Sequence, residues 1–275
     1  MISTMTQSFA KEPINEEKPE KKLITINYLN RYPFSYSENS KDVKGIEIEI
    51  LESFSQWVRK NKNIDLDFNY VGHTSFDDLY ETAKKENTNS ISAGTITIKK
   101  ERLEDVRFSA PYLRNISVLI SNGEQETMSD LAMMDSLFAN NKGLASKNSV
   151  HLKHLQSLKN NHFPDMMIDI VASQTDIPQM VAKDKHLFGY IDLIQFWQFK
   201  KQNPESFIKI HRIANVNEEQ FGFAFGKDNE FIADLFDEFF NDGFGFTSTK
   251  QYHNILEKYL GKEIVPTVEI NFADI

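Results

Sequence analysis

SAGTITIKKERLEDVRFSAPY, Ser92 to Tyr112, sets a strand end, a hydroxyl-rich loop, an arginine and a Phe-Ser-x-Pro-Tyr turn in close succession. At the carboxyl end of a strand the backbone groups around Thr95 and Thr97 lose their ladder partners, and Thr97 offers a hydroxyl and an amide together. Arg102 follows closely, and its planar fork grips a carboxylate through two parallel charge-assisted bonds, which a lysine does not reproduce. The segment therefore describes an anion seat. The same spacing also suits an arginine at a helix start that pairs with Glu104 or Asp105 on the surface, and spacing alone does not separate the two readings.

The flanking sequence places this seat in an α/β frame. Leu23–Leu29 alternates apolar and polar residues and is rich in β-branched side chains, so it reads as a strand that Tyr32-Pro33-Phe34 ends. From Gly45, residues Ile46, Ile50, Leu51, Phe54, Trp57 and Val58 share one helical face. Ile64–Val71 alternates again, Ser75–Lys85 is a helix capped by Ser75, and Ser90–Ile98 is a third strand. The second half repeats the pattern, with Met166–Ala172 as a strand, Ile177–Lys183 as a helix and Phe188–Ile191 as a short strand, which implies parallel pairing through helical crossovers. Two more strand-like segments, Ile116–Ile120 and Phe221–Phe225, bracket the middle third, so the chain crosses twice between two lobes and has a hinge there. The helices Glu230–Asn241 and Ser248–Tyr259 return apolar faces to the first lobe. The expected layout is a tether over 1–22, a first lobe from 23–112 plus 220–275, and an inserted second lobe over 113–219, each lobe a central mixed sheet flanked by helices.

Composition bounds the function. A formal net charge of −9 argues against nucleic acid, whose phosphates need clustered Lys and Arg, and against an anionic membrane surface. With no cysteine there is neither a disulfide nor a thiolate metal site. No run reaches the roughly 18 apolar residues of a membrane span. Ser8-Phe9-Ala10 has the small residues of a signal-peptidase site without the apolar stretch that precedes one, and Lys11–Lys22, rich in Lys, Glu and Pro, has little to bury. His151 and His154 are spaced for one helix face, but no third ligand of matching spacing follows; they read as surface residues, and no metal or other cofactor is expected. Nucleophile-elbow, phosphate-loop and dinucleotide motifs are absent, and Glu47 with Glu49 reads as the acidic start of an amphipathic helix.

Residues 94–102, Gly-Thr-Ile-Thr-Ile-Lys-Lys-Glu-Arg, followed by Phe108-Ser-Ala-Pro-Tyr112, resemble the bacterial extracellular solute-binding protein family 3. Tyr32-Pro33-Phe34, Gly45 to Ile50, Gly189-Tyr190-Ile191-Asp192 and Gln220-Phe221-Gly222-Phe223-Ala224 continue the likeness, which spans roughly Leu23 to Gly261. The resemblance implies a two-lobed periplasmic-binding-protein fold of type II with a two-strand hinge. It further implies extracytoplasmic binding of an α-amino acid in the interlobe cleft and delivery to an ABC transporter permease, by a monomer with no enzymatic activity. It gives Arg102 the ligand's carboxylate, with Thr97 and the backbone at Thr95 beside it, and Asp192 the α-ammonium; an Asp at that strand end also suits a helix cap. Ser149 begins a second-lobe helix whose amides either add to the carboxylate seat or are simply capped. Two departures bear on the side chain recognised. Tyr28 stands where many relatives have an acidic residue, and Arg31 where an aromatic platform usually lies, which disfavours basic ligands; Arg31 faces either the cleft, favouring a polar or acidic side chain, or solvent. The Ser146–Val150 loop is shorter than the family's usual one. Tyr32, His73 and Phe76 are candidate pocket walls or plain core and rim.

Two other functions share this scaffold. Cyclohexadienyl dehydratases resemble these binding proteins, but the position three residues after Asp192, where a catalytic Glu is expected, holds Gln195, which is no proton donor of carboxylic-acid strength. Ligand-sensing modules of larger membrane proteins are also similar, and the length of the gene discriminates them.

Overall fold

The computed structural model describes residues 18–37, 42–85 and 89–270. Residues 1–17, which hold most of the expected tether, lie outside them. The first strand begins at Glu20, inside the expected tether, because residues 20–22 already pair with residues 64–66.

Eight strands form the main sheet: β1 Glu20–Leu29, β2 Ile64–His73, β3 Ser90–Thr97, β4 Leu113–Asn122, β5 Lys142–Ser146, β6 Met167–Val171, β7 Leu187–Asp192 and β8 Val216–Gly226. Their order is β2-β1-β3-β8-β4-β7-β5-β6, with short strands Val106–Phe108 on β8 and Ile208–Ile210 on β4. At one end β2, β1 and β3 are parallel, and at the other β7, β5 and β6 are parallel. The antiparallel pair β4 and β8 joins the two ends. Its register shifts between Val216 and Glu219, where Glu218 has a left-handed φ of 64°.

Helices cover both halves: α1 Ile46–Lys62, α2 Phe76–Lys85, α3 Val150–His162, α4 Ile177–Lys183, α5 Leu193–Gln202, α6 Glu230–Asn241 and α7 Lys250–Leu260. The α1 face buries Ile46, Ile50, Leu51, Phe54 and Val58 as the spacing predicts, while Trp57 stays partly buried and donates to Asp242 at 2.6 Å. Gly45 opens α1 at φ 129°, where a Cβ would stand 2.1 Å from the Phe34 carbonyl oxygen, so the close approach of α1 to the turn after β1 needs glycine. The alternation read over Leu23–Leu29 persists only at its start. From Ile26 onward every residue is buried, because β1 is flanked by β2 and β3 and covered on both faces. β3 is buried along its whole length.

Apolar clusters follow the same division. One draws on residues 24–113 and 221–268, with Ile194 of α5, and stacks Phe54 on Phe236 at 3.9 Å between ring centroids. Two others draw on residues 118–216. This is the mixed α/β architecture of a two-lobed binding protein. Among the described residues no helix is long and apolar enough to cross a membrane.

Candidate functional site

Between the two halves, where β3, the turn after β1, the N-terminus of α3 and the end of β7 meet, lies a small cavity. Arg31, Phe76, Thr95, Thr97 and Arg102 line it from the first lobe, and Ser146, Ser149, Val150, His151, Gln174 and Asp192 from the second. The space is about 20 Å³, room for a water molecule rather than an amino acid, so the lobes are closed on each other. Lys147–Asp77 at 2.8 Å and Lys153–Glu101 at 2.7 Å join them at the exposed rim.

The first-lobe face is organised from behind by Glu47. Glu47 stands in the acidic first turn of α1, as the sequence suggests, and lies on the helix's buried side, fully buried. Its Oε1 accepts from the Gly94 and Thr95 amides, both at 2.9 Å, and from the Tyr112 hydroxyl, and its Oε2 accepts from Ser35 Oγ at 2.9 Å. Burial pushes the carboxyl above its ordinary value, and the four hydrogen bonds partly offset this. Thr95 sits at φ 52°, a left-handed conformation that costs a β-branched residue energy, and the bond to Glu47 holds it there. The periodicity did carry the signal, since Glu47 precedes Ile50 and Leu51 by three and four residues and so shares their buried stripe.

Arg102 is buried in the turn that follows β3. Its Nη1 donates to the Thr97 carbonyl at 2.9 Å and its Nη2 to the Asn148 carbonyl across the cleft at 3.1 Å, with the guanidinium over the Phe76 and Tyr80 rings at 5.0 and 5.2 Å. Among the described residues it makes no ion pair with Glu104 or Asp105, so the surface alternative fails. Desolvation lowers its pKa, against the pull of Tyr80, Glu101 and Glu219. The result is a buried cation whose direct partners are carbonyls and aromatic faces, with guanidinium edge left toward the cavity.

Asp192 heads α5 without capping it: its side chain makes no cap bond. Oδ1 accepts from Asn115 at 2.7 Å and lies 3.2 Å from His151 Nε2, an approach with the distance of an ion pair but not the angle of a hydrogen bond. Oδ2 takes Arg31 Nη1 at 3.2 Å. Burial raises the Asp192 carboxyl, yet the attraction of His151 and Arg31 outweighs it and holds the group below its ordinary value. Behind Asn115 stands Glu219 of β8, which accepts from Ser117 at 2.6 Å, meets His154 at 3.0 Å and pairs with Lys99 at 3.0 Å. Burial raises the Glu219 carboxyl, but these bonds and the charges of His154 and Lys99 pull it down to about 2.

Of the residues singled out in the sequence, the fold brings Arg102, Thr97, Thr95, Asp192, Ser149, Arg31 and Phe76 to one cavity and leaves Tyr28, Tyr32 and His73 out of its lining. Tyr28 is buried in the first-lobe core. Tyr32 is 45% exposed with its ring edge-on to Tyr36. Both ring nitrogens of His73 are engaged, by Asp78 at 2.7 Å and Asn27 at 3.1 Å. Arg31 faces the cleft rather than solvent. Ser149 caps α3, accepting from the Leu152 amide at 3.1 Å.

The surface reading of the two histidines is overturned, since His151 is buried beside Asp192 and His154 packs on Glu219. His151 lies four and seven residues before the buried Leu155 and Leu158, so its burial was also written in the helical period. Gln174 was missed outright. Its Oε1 accepts from the amide and hydroxyl of Ser146, both at 3.2 Å, and its Nε2 donates to the Tyr190 carbonyl at 2.5 Å, contacts that only the tertiary fold creates. Gln195 donates to the Gln174 carbonyl at 3.0 Å and does not line the cavity.

The comparisons with known proteins agree with this fold. A glutathione-import structure from Streptococcus mutans, concerning GshT and the cystine ABC importer TcyBC, superposes with a TM-score of 0.72 at 16% identity, over 93% of this chain and 100% of that one. An ancestral arginine-binding protein bound to arginine gives 0.67 at 17% identity, over 87% and 98%. The arginine-, lysine-, histidine-binding protein ArtJ of Geobacillus stearothermophilus gives 0.67 at 16% identity, over 89% and 99%. These likenesses establish the fold. No curated protein matches the sequence. The family model that matches covers residues 24–262, and the chain belongs to the bacterial extracellular solute-binding proteins, family 3.

Proposed function

We propose that the protein binds an α-amino acid in the interlobe cleft, outside the cytoplasm, and passes it to the permease of an ABC importer. The observation that carries this reading is a buried guanidinium and a buried carboxylate, Arg102 and Asp192, supplied by opposite lobes to one cavity. A zwitterion neutralises both, and burying either charge unpaired is costly. Arg102 with Thr97 and the backbone at Thr95 takes the carboxylate, the amides behind Ser149 add to it, and Asp192 takes the ammonium as the lobes close about β4 and β8. The lobes are 23–112 plus 220–275 and 113–219. Closure follows from tighter binding to the closed form. The second cation in the cleft, Arg31, supports a polar or acidic ligand side chain over a basic one.

The neighbours' recorded ligands, among them arginine, glutamine and histidine, support an amino-acid ligand without fixing its side chain. Import through an ABC transporter is supported by the family and by the Streptococcus mutans structure. Binding rather than catalysis is the reading, since the cavity wall lacks a Glu or second Asp beside Asp192 to serve as the acid.

Isothermal titration against the twenty common amino acids tests it. The wild type should bind at least one, and Arg102→Ala should weaken that binding by about a hundredfold or more, as for truncation of one partner of a buried charge pair. No binding by the wild type, or undiminished binding by the variant, sinks the proposal.

A further inference from the structure

The turn after β1 is rigid. Arg31 and Ser35 exchange backbone bonds at 2.7 and 3.1 Å, Phe34 N donates to the Arg31 carbonyl at 2.9 Å, and Ser35 Oγ is tied to Glu47. The Arg31 side chain is therefore delivered to the cleft from a fixed base, and it is 7% exposed. A single nitrogen, Nη1, makes both of its side-chain bonds, at 2.6 Å to Thr95 Oγ1 in the first lobe and 3.2 Å to Asp192 Oδ2 in the second. Nε is buried and has no partner among the described residues. An arginine serving as a structural tie would spread its donors over a fork-to-fork contact. Here one nitrogen sits between a hydroxyl and a carboxylate and donates to both, the contact pattern of an ammonium rather than of a guanidinium fork.

We propose that Arg31 is a tethered stand-in for the ligand's α-ammonium: it occupies the Asp192 and Thr95 contacts, helps to draw the lobes together without ligand, and must be displaced before an amino acid can be seated. The inference rests on the reading of the cleft as an α-amino-acid seat. Its logic is competition. The closed form held by Arg31 has no space for a ligand, so apparent affinity is reduced by the fraction of molecules in which Arg31 has swung clear. The rim pairs Lys147–Asp77 and Lys153–Glu101 are exposed and contribute little to closure, which leaves two guanidinium bonds across the cleft floor, Arg102 to the Asn148 carbonyl and Arg31 to Asp192, of which only the second joins opposite charges. Arg31 is then a specificity-determining residue as well as a latch, because a ligand is admitted only if its gain at Arg102 and Asp192 exceeds what Arg31 gives up.

The test compares the full chain with Arg31→Met, and with Arg31→Gln, which keeps a donor for Thr95 but not the charge. Small-angle X-ray scattering of the ligand-free proteins should give the closed radius of gyration for the wild type and a larger one for both variants, and calorimetry should show the variants binding L-glutamine about tenfold more tightly. Equal radii for wild type and variants overturn the proposal, and so does affinity that is unchanged or weaker in both. If the radii differ but neither wild type nor variant binds any common amino acid, the latch stands and the amino-acid reading of the cleft falls.

Discussion

On the first-lobe face of the cleft, Thr95, Thr97 and Arg102 come from one short stretch and are fixed from behind by a single buried carboxylate, Glu47, that takes two backbone amides and two hydroxyls. On the second-lobe face, Asp192 ends β7 and is supported by Asn115 of β4 and His151 of α3, with Glu219 of β8, Ser117 and His154 one step behind. The first takes its cleft-facing residues from one short stretch and is held by neutral donors, while the second is assembled from four distant segments and held by charge. The difference has a sign. Burial pushes Glu47 up, whereas the charges and hydrogen bonds around Asp192 and Glu219 overcome burial and hold both down. One face is therefore favoured by protonation and the other depends on remaining ionised.

The largest effect should come from removing the charge on which the second face is built. Asp192→Ala leaves the Arg31 guanidinium with only Thr95 and the Asn115 amide with only the longer bond to Glu219 at 3.3 Å. Losing one partner of a buried pair costs about 3–5 kcal/mol, so ligand affinity should fall by roughly two to four orders of magnitude in calorimetry. A loss below about tenfold would mean that this face is not half of the seat.

Acid should separate the two faces next. Glu219 titrates near 2 in the fold against 4.5 unfolded, so its contribution is complete above about pH 4.5 and is lost as pH falls from there toward 2. The shift corresponds to about 3 kcal/mol as an upper bound. Glu47 runs the other way, because a raised carboxyl favours the fold when protonated and costs stability as pH rises through its window. Melting temperature followed from pH 5 to 2 should decline more steeply in the wild type than in Glu219→Gln, and parallel curves would show that the charge network behind Asp192 contributes nothing.

How far the site could be read in advance follows the same contrast. That Thr95, Thr97 and Arg102 come together on one cavity wall was legible because they share one strand end and one turn, and the helix face of α1 because its period is regular. Asp192 was found only through resemblance; the strand-end position by itself equally suggested a helix cap, which the side chain does not make. Asn115 and Glu219 had no local signal, since their roles arise where β4 and β8 cross between the lobes, and Gln174 had none because its partners Ser146 and Tyr190 reach it only through the fold of the second lobe. Glu47 and His151 occupy an intermediate case. Their spacing places both on buried helix faces, but an acidic helix start says nothing of burial at Glu47 and a histidine pair without a third ligand reads as surface at His151; the fold satisfies the first with hydrogen bonds and sets the second beside an opposite charge.

A subtler variant tests how much the first face depends on its single organiser. Glu47→Gln keeps shape and volume, but the amide nitrogen cannot accept, so the hydroxyls of Ser35 and Tyr112 and the amides of Gly94 and Thr95 compete for one oxygen. Leaving one buried donor unsatisfied costs about 1–3 kcal/mol, which should lower the melting temperature by several degrees. An unchanged melting temperature would show that Thr95 is held at its left-handed φ by something other than this carboxylate.

The smallest effect is expected at Tyr32, and it bears on where the first face ends. The residue lies one position beyond Arg31, so sequence proximity makes it a natural pocket wall, yet the fold turns its ring outward against Tyr36 and leaves it 45% exposed. Because successive residues in a tight turn point in different directions, Arg31 entering the cleft is the reason Tyr32 does not. Tyr32→Ala should therefore change ligand affinity by less than about twofold and stability by no more than about 0.5 kcal/mol, the range of surface substitutions. A tenfold loss of affinity would place the ring over the ligand in the bound form, and the first face would then have to include the rim of the turn as well as the strand end behind it.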